Sequence, residues 1–324
     1  MPAKADFLSN LGSIGTNHEN IGMIIQAKSY AKINLGLKIL GRRPDGYHDI
    51  WSVFQTISLH DIITFEKRSD QKLILRCSDP AVPSGDRNLI VRAAKLLRRR
   101  ILEKGVEPKS PMGATISLDK MIPMGAGLGG GSSNAAVALR VLSKLWSVKN
   151  LDKDDLKALA ESLGSDVPFF LQGGTCLVTG RGEQVSKIDP LPKLFLVVIY
   201  PGVNISTAWA YSRLSLSLTK RPKYSKIKKD GVMTWRHLGD VKRIMANDFE
   251  PLILSHFPEV AKAKSDLKSW GAVKALLSGS GSSVFGLFPD AASARRAWHG
   301  LGRLWPQSFL AATIKAETYI KTAR

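Results

Sequence analysis

Apolar and polar positions alternate over residues 24–40, where Ala31-Lys32-Ile33-Asn34-Leu35 places Lys32 and Asn34 on one face of a strand and Ile33 and Leu35 on the other. A cation and an amide on a shared face form a polar surface rather than a core. Arg42-Arg43-Pro44-Asp45-Gly46 reads as a turn, and Tyr47-His48 then leads into a strand over 52–59. Short strands at 73–76 and 115–118 are expected to flank a helix over 89–102.

Residues 123–134 break the pattern: PMGAGLGGGSSN holds five glycines in the seven positions from Gly125 to Gly131. Beyond them Ala135, Leu139, Leu142 and Trp146 recur at helical spacing, so the glycines open a helix over 133–146. Exposed amides at a helix N-terminus, with the positive dipole end behind them, attract anions, and bare glycines let phosphate oxygens reach those amides. The Gly125-x-Gly127-x-x-Gly130 spacing matches the dinucleotide fingerprint, but no buried strand precedes Asp152, the acidic residue at the required distance. A P-loop needs Gly-Lys, and a protein kinase needs His-Arg-Asp and Asp-Phe-Gly; the chain has none of these. The loop is read as a phosphate cradle of another kind, with Ser132 and Ser133 offering hydroxyls to phosphate or Mg²⁺.

A short helix over 155–163 closes at Gly164 and leads into Ser165-Asp166-Val167-Pro168-Phe169-Phe170. Asp166 is open to two readings there, the N-cap of a turn beginning near Pro168 or a catalytic base. From about Arg181 the pattern restarts. Strands are expected at 195–200, 275–277, 284–288 and 312–316, with helices at 206–214, 257–270 and 291–304. The small residues Ser278-Gly279-Ser280-Gly281-Ser282-Ser283 form either a flexible hairpin or a point of close approach to the first domain's ligand. The expected organisation is α+β: a loose extension over 1–23 with Met23 as an alternative start, a first domain over 24–181 and a second over 182–324.

Composition adds three limits. With 324 residues and 44% hydrophobic content the chain can bury two cores, while its longest apolar run, 194–200, is far below the ~20 residues of a membrane helix. The N-terminus lacks the features of a secretory or transit signal, and Cys77 and Cys176 stand far apart, so a cytoplasmic protein is expected. The net charge of +20 favours anionic ligands. Its densest cluster, 220–229, carries six basic residues and no acidic one; with Arg98-Arg99-Arg100 it reads as solvated surface, nucleic-acid contact being the alternative.

The glycine stretch resembles the signature of the GHMP kinases. Ala31 to Leu35, Gly41-Arg42-Arg43-Pro44-Asp45-Gly46-Tyr47-His48, Ser165 to Phe170 and Asn247-Asp248-Phe249-Glu250 narrow the resemblance to the branch that phosphorylates the 2-hydroxyl of a cytidine-diphosphate methylerythritol in the non-mevalonate isoprenoid route. The resemblance implies a two-domain fold, with a ribosomal-protein-S5-like N-terminal and a ferredoxin-like C-terminal domain, and ATP and Mg²⁺ as cofactors. It implies Lys32 and Asp166 as the catalytic pair, with ATP held by Pro123, Met124, Gly125, Ala126, Gly127, Leu128, Gly129, Gly130, Gly131, Ser132 and Ser133, and touched by Lys120. For the substrate it implies Asn34, an aromatic sandwich with a base-reading histidine at Tyr47 and His48, and a second wall at Thr207 and Tyr211. No metal ligand is assigned. The partners expected are the small substrate and ATP, with neither membrane nor nucleic acid, in a monomer or homodimer. Two rivals stay open: a GHMP kinase for mevalonate or homoserine, which has no need of Tyr47-His48, and a basic RNA-binding protein, which has no need of both Lys32 and Asp166.

Overall fold

The computed structural model describes residues 23–105, 110–148, 151–214 and 238–321. The first alternating stretch is a single long strand, β1 (Ile24–Arg42), paired antiparallel with β2 (His48–Arg68). The second strand runs beyond the expected 52–59 because Ile63 and Phe65 continue the inward alternation past the polar His60 and Asp61. On its other edge β2 pairs with β4 (Gly113–Asp119) through one half and β5 (Thr175–Thr179) through the other; β3 (Leu73–Cys77) and β6 (Gln184–Lys187) complete the sheet. Helices α1 (Leu89–Glu103), α2 (Gly130–Leu145), α3 (Lys153–Leu163) and α4 (Val167–Gln172) supply the apolar residues that bury its outer face.

A second, fully antiparallel sheet has the order β10 (Ser308–Ala312), β7 (Phe195–Ile199), β9 (Val284–Phe288), β8 (Lys274–Leu277). Strand β7 shows how the sheets meet. Leu196 and Val198 join Ile33, Leu35, Val53 and Ile57 of the first sheet in one core, while Val197 and Ile199 pack with Val260 and Leu267 of α8 (Pro258–Ser269) and Leu301 of α9 (Ala291–Leu301). The period-2 alternation of an apolar run thus serves two cores, and burial of about 1.5–3 kcal/mol per large side chain holds the sheets face to face. The layers are helix, sheet, sheet, helix. Four further helices, α5 (Thr207–Arg213), α6 (Leu238–Ile244), α7 (Glu250–His256) and α10 (Ala316–Lys321), surround them.

The boundary expected at residue 181 falls inside the β5–β6 hairpin, since β6 pairs with β5 in the first sheet. The last strand lies at Ser308–Ala312 rather than 312–316, and the chain then returns to the first unit. There the Ile314 amide donates to Thr56 and Gln55 donates to the Ile314 carbonyl, at 2.9 Å each. Tyr319 of α10 is buried, donates its hydroxyl to the Phe170 carbonyl of α4, and lies where a Cβ on Gly173 would collide with its ring. The leader over 1–22 and the basic run 220–229 lie outside the described residues. Among the described residues no helix is long and apolar enough to cross a membrane, and Cys77 and Cys176 are free.

Candidate active site

The outer edge of β1 carries two visitors. The Lys32 amide donates to Leu128 of the glycine loop at 2.9 Å, and Leu37 exchanges backbone hydrogen bonds with Ala246 and Asp248. β-bulges on either side of the Lys32–Asn34 stretch re-aim its side chains, a common device beside active sites. The Lys32 ammonium donates to Asn34 Oδ1 at 2.6 Å, Asn34 Nδ2 donates to Ser52 Oγ at 2.9 Å, and the cation sits 4.4 Å from the Phe54 ring centre. A buried cation is costly unless it is paired. Here the partner is Asp166, its Oδ2 3.5 Å from Lys32 Nζ.

Asp166 stands at the N-cap position of α4 with αR backbone angles, and its side chain makes no capping bond. The capping alternative is therefore excluded. Val167, Phe169 and Phe170 bury in the first core and anchor the helix, leaving the carboxylate at the rim with 32% of its side chain exposed.

Gly125, Gly127 and Gly129 have φ of 63, 74 and 70°. A Cβ on Gly127 would run into the Ser278 carbonyl oxygen, and one on Gly129 would meet the Phe170 ring and the Lys32 stem. The bare backbone is thus needed for protein contact as well as for a ligand: Ser278 Oγ donates to Gly127 O at 2.9 Å and the Ser283 amide to Ala126 O at 3.2 Å. The Ser278–Ser283 segment is a docking loop, not a free hairpin. It is clamped from behind by Asn247, which donates to Leu277 O and Gly279 O at 2.9 and 2.8 Å, and by Glu250, which accepts from the Leu277 amide.

Helix α2 begins at Gly130, three positions before the expected 133, with left-handed Gly129 at its N-cap and no side-chain cap. The amides of Gly130, Gly131 and Ser132 thus have no intrahelical partner. Around this point the candidate ATP residues divide. Ala126 and Leu128 point into the core shared by the sheets, and Pro123 and Met124 form the approach, Met124 exposed. Ser132 is half-buried in the first turn. Ser133 departs from expectation: it is fully buried and its Oγ accepts from Ser29 at 2.8 Å, so it braces the helix against β1. Lys120 is also engaged internally, with Asp61 at 2.9 Å and with the Ile122 carbonyl, while Asp61 accepts from the Met121 and Ile122 amides. Its ammonium lies beneath Gly130, shaping the start of the loop.

Between the two units opens a cavity of about 730 Å³. Lys32, Asn34 and Asp166 line it with Gly127 and Gly129, Thr207 and Tyr211 of α5, and Tyr47 and His48. Thr207 Oγ1 lies 3.0 Å from Ser280 Oγ, tying α5 to the docking loop. The aromatic sandwich is not arranged as the resemblance implies. His48, not Tyr47, faces Tyr211, with ring centres 4.9 Å apart and planes 24° from parallel, and Phe249 meets Tyr211 edge-on. The Tyr47 ring stands apart from this pair and is exposed. Burial and then the Asp166 charge push the Tyr211 phenol up to about 12, keeping it a donor. Burial and then the Arg42 charge hold His48 below the usual imidazole value, so the ring is neutral at pH 7.

Arg42, Arg181 and Phe249 also line this cavity and were not assigned from sequence. The sequence places Arg42 in a turn and in the Gly41–His48 run, and Arg181 at a domain boundary, with a site role for neither. The glycines on either side of Arg181 were the available sign that a tight turn presents it.

A glycine loop thus opens a helix beside a buried lysine and its partly exposed aspartate partner, set between two face-to-face sheets. The GHMP kinases N terminal domain matches residues 88–174, and the GHMP kinases C terminal matches residues 228–307. The chain is 41% identical over 90% of its length to the 4-diphosphocytidyl-2-C-methyl-D-erythritol kinase of Prosthecochloris aestuarii, covering 98% of that protein. It is 42% identical over 85% of its length to that of Pelotomaculum thermopropionicum, covering 92%. A crystal structure of 4-(cytidine 5'-diphospho)-2C-methyl-D-erythritol kinase superposes with a TM-score of 0.70 at 32% identity, over 89% of this chain and 99% of that one. Homoserine kinase from Cytophaga hutchinsonii, at 18% identity and a TM-score of 0.66 over 93% of this chain and 98% of its own, shares the fold. The chain belongs to the 4-diphosphocytidyl-2-C-methyl-D-erythritol kinase family.

Proposed function

We infer that the protein phosphorylates the 2-hydroxyl of 4-diphosphocytidyl-2-C-methyl-D-erythritol with ATP, in the non-mevalonate route to isoprenoid precursors. The observation that carries the chemistry is the Lys32–Asp166 pair, 3.5 Å apart at the wall of the cavity. Phosphoryl transfer asks little covalent work of a protein and depends on positioning and charge stabilisation. Asp166 orients the attacking hydroxyl and accepts its proton; Lys32, fixed by Asn34, balances the charge that develops. The open amides at the start of α2 hold phosphate oxygens. Asn34 is thus a positioning residue for Lys32 rather than a direct reader of substrate.

Mg²⁺ supplies charge neutralisation on the phosphates when bound. The described residues contain no cluster of three His, Cys, Asp or Glu side chains, which fits an ion held mainly by phosphate and water, with the Ser132 hydroxyl and the Asp166 carboxylate as the protein oxygens at hand. The two free cysteines support a cytoplasmic site of action.

ADP release with the cytidylyl substrate, beside mevalonate and homoserine, tests the assignment. Turnover confined to the cytidylyl alcohol is expected, and turnover on another alcohol alone would overturn it. The base end makes a separate prediction. If neutral His48 reads the cytosine, the KM for substrate rises as pH falls through the His48 pKa; Arg42→Gln removes a charge that lowers that pKa, so the acid limb of kcat/KM moves to higher pH. An unmoved limb in a pH series of both proteins would remove His48 from that role.

A further inference from the structure

Behind the Asn247–Glu250 clamp lies a second cavity, of about 380 Å³, between α7, α8 and the edge strand β8. That volume falls in the range of small-molecule sites, and none of its lining residues is shared with the first cavity. The lining divides by chemistry. Met245 and Leu276 are buried and Leu254 is partly buried, giving an apolar floor, while Lys264, Lys268 and Lys274 stand around it.

The three cations are unevenly committed. Lys264 Nζ donates to Glu250 Oε1 at 2.7 Å, and the same oxygen accepts from the Leu277 amide at 2.9 Å. Among the described residues that line the cavity, Glu250 is the one carboxylate, so a single cation is neutralised. Lys268 is exposed and Lys274 half-buried, and neither forms an ion pair among the described residues. Lys268 follows Lys264 by one turn on α8, off the Val260, Ala263 and Leu267 stripe that the helix buries.

The edge of β8 adds a backbone donor. Leu277 turns its amide outward to Glu250 and its carbonyl outward to Asn247. In an antiparallel strand such groups alternate, so Ala275, two residues earlier, turns its amide to the same edge. Ala275 is buried and lines the cavity beside Lys274. Lysines on a convex surface are simply solvated; two uncommitted lysines over an apolar floor in a concavity suit an anion that carries an apolar body. A phosphate monoester brings about two negative charges at neutral pH and three acceptor oxygens.

We propose that this cavity binds a small phosphate ester with a short alkyl body. The phosphate meets Lys268, Lys274 and the Ala275 amide, and the alkyl part rests on Met245, Leu254 and Leu276. The site is independent of the substrate assignment above.

Calorimetric titration of the full chain with n-butyl phosphate and with inorganic phosphate tests it, with the first cavity filled by saturating cytidine diphosphate and a non-hydrolysable ATP analogue. Butyl phosphate is expected to bind with a Kd of about 1 mM or below, about 10-fold tighter than inorganic phosphate, and more weakly as salt is raised. Lys274→Gln should weaken it about 10-fold. Lys268→Gln, at an exposed position, should do the same and guards against a folding defect in the first variant. Lys262→Gln removes an equal charge elsewhere on α8, where Lys262 pairs with Asp266 at 2.8 Å, and should change affinity less than about 2-fold. No binding of butyl phosphate, equal affinity for the two phosphates, or an equal loss in all three variants would each overturn the proposal.

Discussion

Replacing Asp166 by asparagine is expected to lower kcat by about 10²–10⁴-fold while the KM values for ATP and alcohol change little. The amide keeps the shape of the side chain but cannot accept the proton of the attacking hydroxyl. Some loss of stability is expected as well, because the carboxylate makes no capping bond and is partly exposed but is the counter-charge of the buried Lys32 ammonium, which then keeps only Asn34. The measurement is steady-state kinetics beside a thermal melt. A folded variant with full kcat would remove Asp166 as the base, and a collapsed melting transition would turn the residue into a structural one. Lys32 offers no such clean separation, since removing a buried cation also strips Asn34 of its donor and Asp166 of its counter-charge.

Gly127→Ala is expected to be nearly as damaging, for a different reason. At φ 74° any Cβ costs about 1–2 kcal/mol, and this one also runs into the Ser278 carbonyl, a backbone atom that cannot rotate away. Together these should lower stability by about 2–4 kcal/mol in urea denaturation, and pushing the docking loop off the glycine loop should cost about 100-fold in kcat/KM. Gly131→Ala is the contrast. Its Cβ would meet only Leu89, at an ordinary 3.6 Å, so its stability should stay near that of the wild type. Equal denaturation midpoints for both variants would show that the domain contact at Gly127 does not carry the strain assigned to it.

Much of the site was legible as spacing. Lys32 and Asn34 on one strand face, the glycines opening a helix and the carboxylate in Ser165-Asp166-Val167 are local patterns, and each occupies the expected kind of element. What was misread involves partners distant in sequence. Ser133, expected to offer its hydroxyl to phosphate, is fully buried and accepts from Ser29 on β1. Lys120, expected to touch ATP, is also held by Asp61, 59 residues earlier in the chain. Strand β5 went unread because its five residues are too short to show a period beside the apolar Val167–Phe170 run, and β10 and α10 differ from expectation because the chain end is shaped by its return to Thr56 and Phe170.

The division between the two levels is physical. Hydrophobic period, glycine content and the order of polar residues are properties of neighbouring positions, and they point to two α+β units and a glycine-opened helix start suited to an anion, while the acid–cation pair is what the family resemblance implies. Folding adds the contacts between segments more than a hundred residues apart: Ser278 on Gly127, Tyr319 beneath Phe170, Asp166 beside Lys32 and Tyr211 against His48. Those contacts depend on which faces the two sheets bury against each other, a choice made by the whole core. The glycines of the loop illustrate both levels, since their number suggests a loop that admits an anion and the placement of Gly127 answers to the Ser278 carbonyl in the other half of the chain.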